Sequence, residues 1–129
     1  MNTNDWIKVT LDDIAENVSI RVGDPSKSGL DRYVGLEHLD SGSIFVTRWG
    51  STSAFSSGKK FESGDVLLCR RRPYLRKCSV ADFDGVCSGD AYVLREKADV
   101  IVPGLLKYIL NTNRFWDYAI ANADGSMST

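Results

Sequence analysis

Between Arg70 and Lys77 the chain carries five cationic side chains in eight residues, Arg70, Arg71, Arg72, Arg76 and Lys77, with Tyr74 among them and no acid between. Guanidinium groups fork onto phosphate oxygens or onto the acceptor pair of a guanine edge, and a tyrosine can stack or donate to phosphate. Held on a scaffold, such a run is a candidate polyanion surface. Alone it is equally a solvated turn whose arginines pair with Asp82, Asp84 or Asp90. A second group, Arg48-Trp49-Gly50-Ser51-Thr52-Ser53, combines a cation, a large ring and several hydroxyls, the groups that contact bases and the sugar–phosphate backbone. Lys59 and Lys60 follow it. The alternative there is that Trp49 packs into the core and the serines make a flexible linker.

Little else points to chemistry. His38 follows Glu37, but adjacent side chains diverge on a strand or helix, and a lone histidine beside an acid is more often structural than a general base. Ser88 lacks the glycine pattern of a nucleophile elbow, and there is no phosphate-cradling glycine loop. Cys69, Cys78 and Cys87 are too few and too far apart for a disulfide framework. With one histidine in the chain they do not make a zinc site. Their expected role is that of small buried residues in strands, with no cofactor or metal.

Charge is distributed unevenly. Residues 1–47 carry a net −4, residues 48–80 a net +6 and residues 81–129 a net −3. A basic centre between acidic flanks suggests one face for a polyanion and other faces for something else. The overall net charge of −1 implies weak binding by the domain alone, because few counterions would be released. The 129 residues suffice for one domain with a core. The polar start has no signal-peptide core and no apolar run reaches a membrane-spanning length, so a cytoplasmic protein without a membrane partner is expected.

The elements that would position these residues read as an α+β domain. Trp6–Val9 reads as a strand. Thr10 caps a short helix in which Leu11, Ile14, Ala15 and Val18 recur at helical spacing. Tyr33–Leu36 reads as a strand, with a turn at Ser41–Ser43. Arg48–Lys60 reads as a long exposed loop. Val66 to Cys69 is apolar on both strand faces and so predicts a strand covered on both sides. Pro73 places the basic run on a turn. Cys78–Phe83 and Ala91–Leu94 read as strands. Pro103 opens a helical unit with Leu105, Leu106, Ile109, Leu110, Trp116 and Ile120 on one face, broken near Asn111–Asn113 and ended by Gly125. The expected architecture is a single globular domain: a twisted mixed or antiparallel sheet, a short N-terminal helix and a C-terminal helical unit.

Taken in order, these segments resemble a target recognition domain of the specificity subunit of type I restriction–modification systems. Trp6-Ile7-Lys8-Val9-Thr10-Leu11-Asp12-Asp13-Ile14-Ala15 is similar to the opening strand and helix. Tyr33-Val34-Gly35-Leu36-Glu37-His38 is similar to the Y-(I/V)-G-L-E-H segment. Gly64-Asp65-Val66-Leu67-Leu68 with Arg72-Pro73-Tyr74-Leu75-Arg76-Lys77 is similar to the G-D-(I/V)-L…R-P-Y-L-x-K hallmark. Ala81–Ser88 and Tyr92–Arg95 match the following strands, and Gly125-Ser126 the domain's end.

The resemblance implies a non-catalytic, sequence-reading component. Such subunits carry two recognition domains, each reading half of a bipartite duplex site. Long helices separate them and dock methyltransferase subunits, which use S-adenosylmethionine, and a restriction subunit cleaves unmodified DNA. Residues 1–129 are then expected to be one recognition domain, truncated before the spacer helix and the second domain. Its DNA contacts would be Arg48, Trp49, Ser51 and Thr52 on bases or groove and Lys59 and Lys60 on phosphate. Arg70, Arg71, Arg72, Tyr74, Arg76 and Lys77 would serve mainly in backbone positioning, with at least one arginine reading guanine. Gly64, Asp65, Gly85 and Ser88 would shape turns. Two alternatives stay open: a protein-interaction or regulatory module on the same fold, and a small nuclease or RNA-processing enzyme using Glu37, His38 and the arginines.

Overall fold

The computed structural model describes residues 14–69, 77–97, 99–113, 115 and 117. In chain order its strands are Ala15–Val18 (β1), Arg21–Val22 (β2), Arg32–Val34 (β3), Gly50–Ser51 (β4), Gly58–Phe61 (β5), Val66–Cys69 (β6), Cys78–Val80 (β7), Gly85–Cys87 (β8) and Ala91–Glu96 (β9). A one-turn helix, Leu106–Ile109 (α1), follows. Single 3-10 turns lie at Pro25–Lys27, Leu36–His38 and Thr52–Ala54.

The strands form two sheets rather than one. The first has the order β1-β9-β6-β7 and is antiparallel throughout. The second has the order β2-β5-β8-β3-β4 and is antiparallel except where β3 runs parallel to β8. β6 is apolar throughout, with Val66, Leu67, Leu68 and Cys69 all buried. The two-residue period of a strand sends these side chains alternately to opposite faces. Val66 and Leu68 join Ala15, Tyr92 and Leu94 against Ile101, Leu106, Leu110 and Phe115 of the C-terminal region. Leu67 and Cys69 join Val18, Val93 and Ala91 against Val34, Phe61 and Cys87 of the second sheet. The first sheet is thus the middle layer of three.

The expectation of a helix through Val18 is corrected. Ile14 is helical, but Ala15–Val18 is a strand paired with Glu96–Val93. Ala15 and Val18 are both buried because they face different layers, so a three-residue interval that mimics a helical stripe comes from a strand covered on both sides. Residues 1–13, which hold the expected first strand and the start of that helix, lie outside the described residues.

The long exposed loop at 48–60 is also corrected. It contains β4, a 3-10 turn and most of β5, with Thr52, Gly58 and Lys59 buried. The C-terminal helix begins at Leu106 rather than at Pro103, where the two oxygens of the Glu96 carboxylate accept the Gly104 and Leu106 N–H groups at 2.9 and 2.8 Å. The break at Asn111–Thr112 is present, and the Thr112 hydroxyl accepts the Phe115 N–H at 3.2 Å. Trp116, Ile120 and Gly125 fall outside the described residues. No helix among the described residues is long and apolar enough to cross a membrane.

Candidate nucleic-acid interface

Most of the basic run, Arg70, Arg71, Arg72, Tyr74 and Arg76, lies outside the described residues. Its two anchors are described. Cys69 ends β6 and Lys77 leads into β7, and the Cys69 N–H donates to the Lys77 carbonyl at 2.9 Å, so the run spans the β6–β7 hairpin. The Lys77 ammonium is turned back to the Leu36 carbonyl at 3.1 Å, bracing the 3-10 turn that holds Glu37 and His38.

Below this hairpin, the turn into β6 explains the Gly64-Asp65 pair. Gly64 adopts a positive φ of 97°, which a Cβ would strain. Asp65 is buried, 2% exposed, and accepts the Glu62 N–H at 2.8 Å. Arg95 from β9 forks onto both Asp65 oxygens at 2.9 and 2.8 Å and reaches Glu62 at 2.8 Å. The hydrogen bonds to Asp65 raise the Arg95 guanidinium above its ordinary value, and the residue is a brace.

The second group is dispersed by the fold. Arg48 is exposed, but its Nη2 donates to Asp40 at 2.7 Å and to the Glu37 carbonyl at 2.6 Å. The same pairing holds the Asp40 carboxyl below its usual range. Ser51 caps the following 3-10 turn, its Oγ accepting the Ser53 N–H at 3.3 Å. Thr52 is buried, with its hydroxyl donating to the Leu30 carbonyl at 2.7 Å. Lys59 is buried at 7% exposure, with its ammonium on the Ala91 carbonyl at 3.0 Å. As placed, Thr52 and Lys59 face the protein rather than a ligand, and the exposed-loop reading of both is corrected. Lys60, next along β5, is exposed.

Trp49 is 43% exposed, and it meets a residue the sequence did not single out. The Arg32 guanidinium carbon lies 4.4 Å from the Trp49 ring centroid and 4.6 Å from that of Phe83. The two rings are 5.0 Å apart at 58°, and Phe83 packs edge-on against the buried Phe61. The register explains the meeting: Arg32 pairs with Ser51, and the Thr52 N–H donates to the Asp31 carbonyl at 3.1 Å, so the chain after Trp49 is tied to β3. Gly85, beside Arg32 on β8, has no room for a Cβ, which would stand 2.8 Å from the Arg32 carbonyl and 2.7 Å from the Phe61 ring. Arg32 is an isolated cation in the sequence, between Asp31 and Tyr33. No local signal could have found it, because its partners lie 17 and 51 residues away.

His38 accepts the Gly35 N–H on Nδ1 at 2.9 Å, and its side chain is 18% exposed. It closes the turn at Leu36–His38, and the Glu37 carboxylate lies 3.6 Å from the same nitrogen, so these adjacent side chains meet rather than diverge. The three cysteines are buried and form no disulfide with one another. Burial pushes the Cys78 thiol far up and the Cys87 thiol to about 12. Among the described residues no group of histidine, cysteine and acidic side chains could hold a metal ion.

No protein-family model matches the chain. The specificity subunit of the type I restriction enzyme EcoDI from Escherichia coli is 32% identical over 131 aligned residues, covering 94% of this chain and 27% of that subunit. Two solved chains share the fold with a TM-score of 0.63 each. One, from work on complex assembly and conformational transition in a type I restriction–modification system, is 28% identical over 80% of this chain and 28% of its own. The other, the HsdS subunit of Thermoanaerobacter tengcongensis, is 26% identical over 78% of this chain and 27% of its own. The chain thus spans about a quarter of the length of the relatives it matches.

Proposed function

We propose that this chain, a target recognition domain of the type I restriction specificity-subunit family, reads one half of a bipartite site in duplex DNA. The observation that carries the reading is the agreement with one segment of those subunits, in sequence over 94% of this chain and in fold over 78–80% of it. The run of basic residues that the sequence places between β6 and β7 supports it, as does a cation–aromatic cluster at Arg32, Trp49 and Phe83. In this reading the chain catalyses nothing. It positions DNA for methyltransferase and restriction subunits, and S-adenosylmethionine belongs to the methyltransferase. Arg70, Arg71, Arg72, Tyr74 and Arg76 hold the backbone, with Lys60 as a further phosphate contact.

The test is binding of duplex DNA at low salt, followed by fluorescence anisotropy over a salt series. The expected result is saturable binding whose logarithm falls linearly with that of the salt concentration. The double variant Arg72→Ala, Arg76→Ala should weaken binding and flatten that line by about two contacts. Absence of duplex binding by the folded wild-type chain would overturn the reading.

A second reading, a protein-interaction module, has one observation in its favour. Val100, Val102 and Leu105 lie exposed in the stretch before α1, with Tyr108 exposed on it. Capture of a methyltransferase subunit without any DNA shift would select it.

A further inference from the structure

We infer that Arg32 is a specificity-determining residue that reads guanine, with its guanidinium held in a fixed plane by Trp49 and Phe83. The inference rests on the DNA-reading function proposed above and goes beyond it by naming a base contact outside the basic hairpin.

The first argument is what six other described cations are doing; Arg21 and Lys60, both exposed, are not among them, and neither has a ring platform beneath it in the described contacts. Arg95 is spent on Asp65 and Glu62, and Arg48 on Asp40 and the Glu37 carbonyl. Lys59, Lys77 and Lys107 each donate to a backbone carbonyl, and Lys27 lies beside Asp24. Arg32 is exposed and has no carboxylate or carbonyl partner among the described residues. Its contacts are two ring faces, which orient a guanidinium without using its N–H donors.

The second argument is rigidity. A fork onto guanine O6 and N7 needs a planar donor set in a fixed place, whereas a phosphate contact tolerates a mobile charge. The platform under Arg32 is built into the sheet: Phe83 rests on the buried Phe61, and β4 holds the chain beside Trp49 against β3. Arg32 is the β3 residue at the edge of the second sheet's inner face, at the rim rather than in the core. In this arrangement Trp49 is a positioning residue and not itself a base contact.

The experiment is selection of bound duplexes from a random pool at low salt by the full chain and by Arg32→Lys, Arg32→Ala and Trp49→Ala. Thermal melts confirm that each variant is folded. The wild type should enrich a short motif containing a guanine. Arg32→Lys keeps the charge and loses the fork, so it should lose preference at that one guanine, roughly 10- to 100-fold, with the rest of the motif retained. Trp49→Ala should blur the same position and leave the others unchanged. A wild-type motif left intact by Arg32→Lys would overturn the inference while sparing the proposed function. So would equal weakening on all sequences by Arg32→Ala that lysine restores, because that marks a phosphate contact. Equal blurring of every position by Trp49→Ala would overturn its positioning role. A wild-type chain that enriches nothing would overturn the sequence-reading function and the inference with it. Should Arg32→Ala fail to fold, Arg32→Lys decides alone.

Discussion

Arg95 and Asp65, thirty residues apart, face each other as a bidentate pair, Nε to Oδ1 at 2.9 Å and Nη2 to Oδ2 at 2.8 Å. The carboxylate is buried while the guanidinium is about one-third exposed, and the pair joins β9 to the turn that starts β6. This is the structural content of the Gly64-Asp65 motif. It fixes the entry of the central strand, and hence the register of the hairpin that carries the basic run.

Asp65→Ala removes the acceptor for Arg95 and for the Glu62 N–H. A fully buried pair broken on one side costs about 3–5 kcal/mol. With Arg95 partly solvated, a loss of about 2–3 kcal/mol is expected. Urea denaturation measures it, and a change below about 0.5 kcal/mol, the range of ordinary surface substitutions, would show that the pair is only a surface contact.

Gly85→Ala places a methyl group against the Arg32 carbonyl and the Phe61 ring. Backbone cannot yield as a flexible side chain does, so about 1–3 kcal/mol of overpacking is expected. Because β8 pairs with β3, the role inferred for Arg32 predicts that the same substitution also impairs duplex binding. Melting temperature and duplex affinity, measured together, should both fall.

The Cys87 thiol is raised by burial from an ordinary 9.0 to about 12. The folded chain therefore holds its proton where the unfolded chain has lost it. The associated stability is complete below the unfolded value and is lost as pH rises from there toward 12. Stability should decline with pH above about 9 through this group. Thiol reagents at neutral pH should label Cys69, Cys78 and Cys87 only after unfolding, and rapid labelling of the native chain would contradict their burial.

Asp40→Asn releases Arg48 from its carboxylate partner. If the freed guanidinium joins the DNA surface, duplex binding should tighten and its salt dependence should steepen by about one contact. An unchanged slope would mean that Arg48 serves only to brace the turn at Glu37.

Much of the frame was legible along the chain. Val66 to Cys69 is apolar at successive positions, a pattern that fits a strand covered on both faces, as β6 is. The cysteines read as buried and are buried. The first helix was misread because Ala15 and Val18 repeat at a spacing that a two-faced strand also produces. The loop at 48–60 was misread because its serines and glycines signal turns, whereas β4 and β5 are held by partners far away in sequence.

The sequence by itself determined the order of motifs and the alternation of burial in the central strand, because these depend on neighbours and on a two-residue period. Which charges are free to meet a ligand was decided only by the tertiary structure. Lys59 is taken by a carbonyl thirty-two residues away, Arg95 by a carboxylate thirty residues away, and Arg32 is set against two rings by strand register. A basic side chain is a potential contact in sequence; the partner that neutralises it or leaves it available comes from another strand.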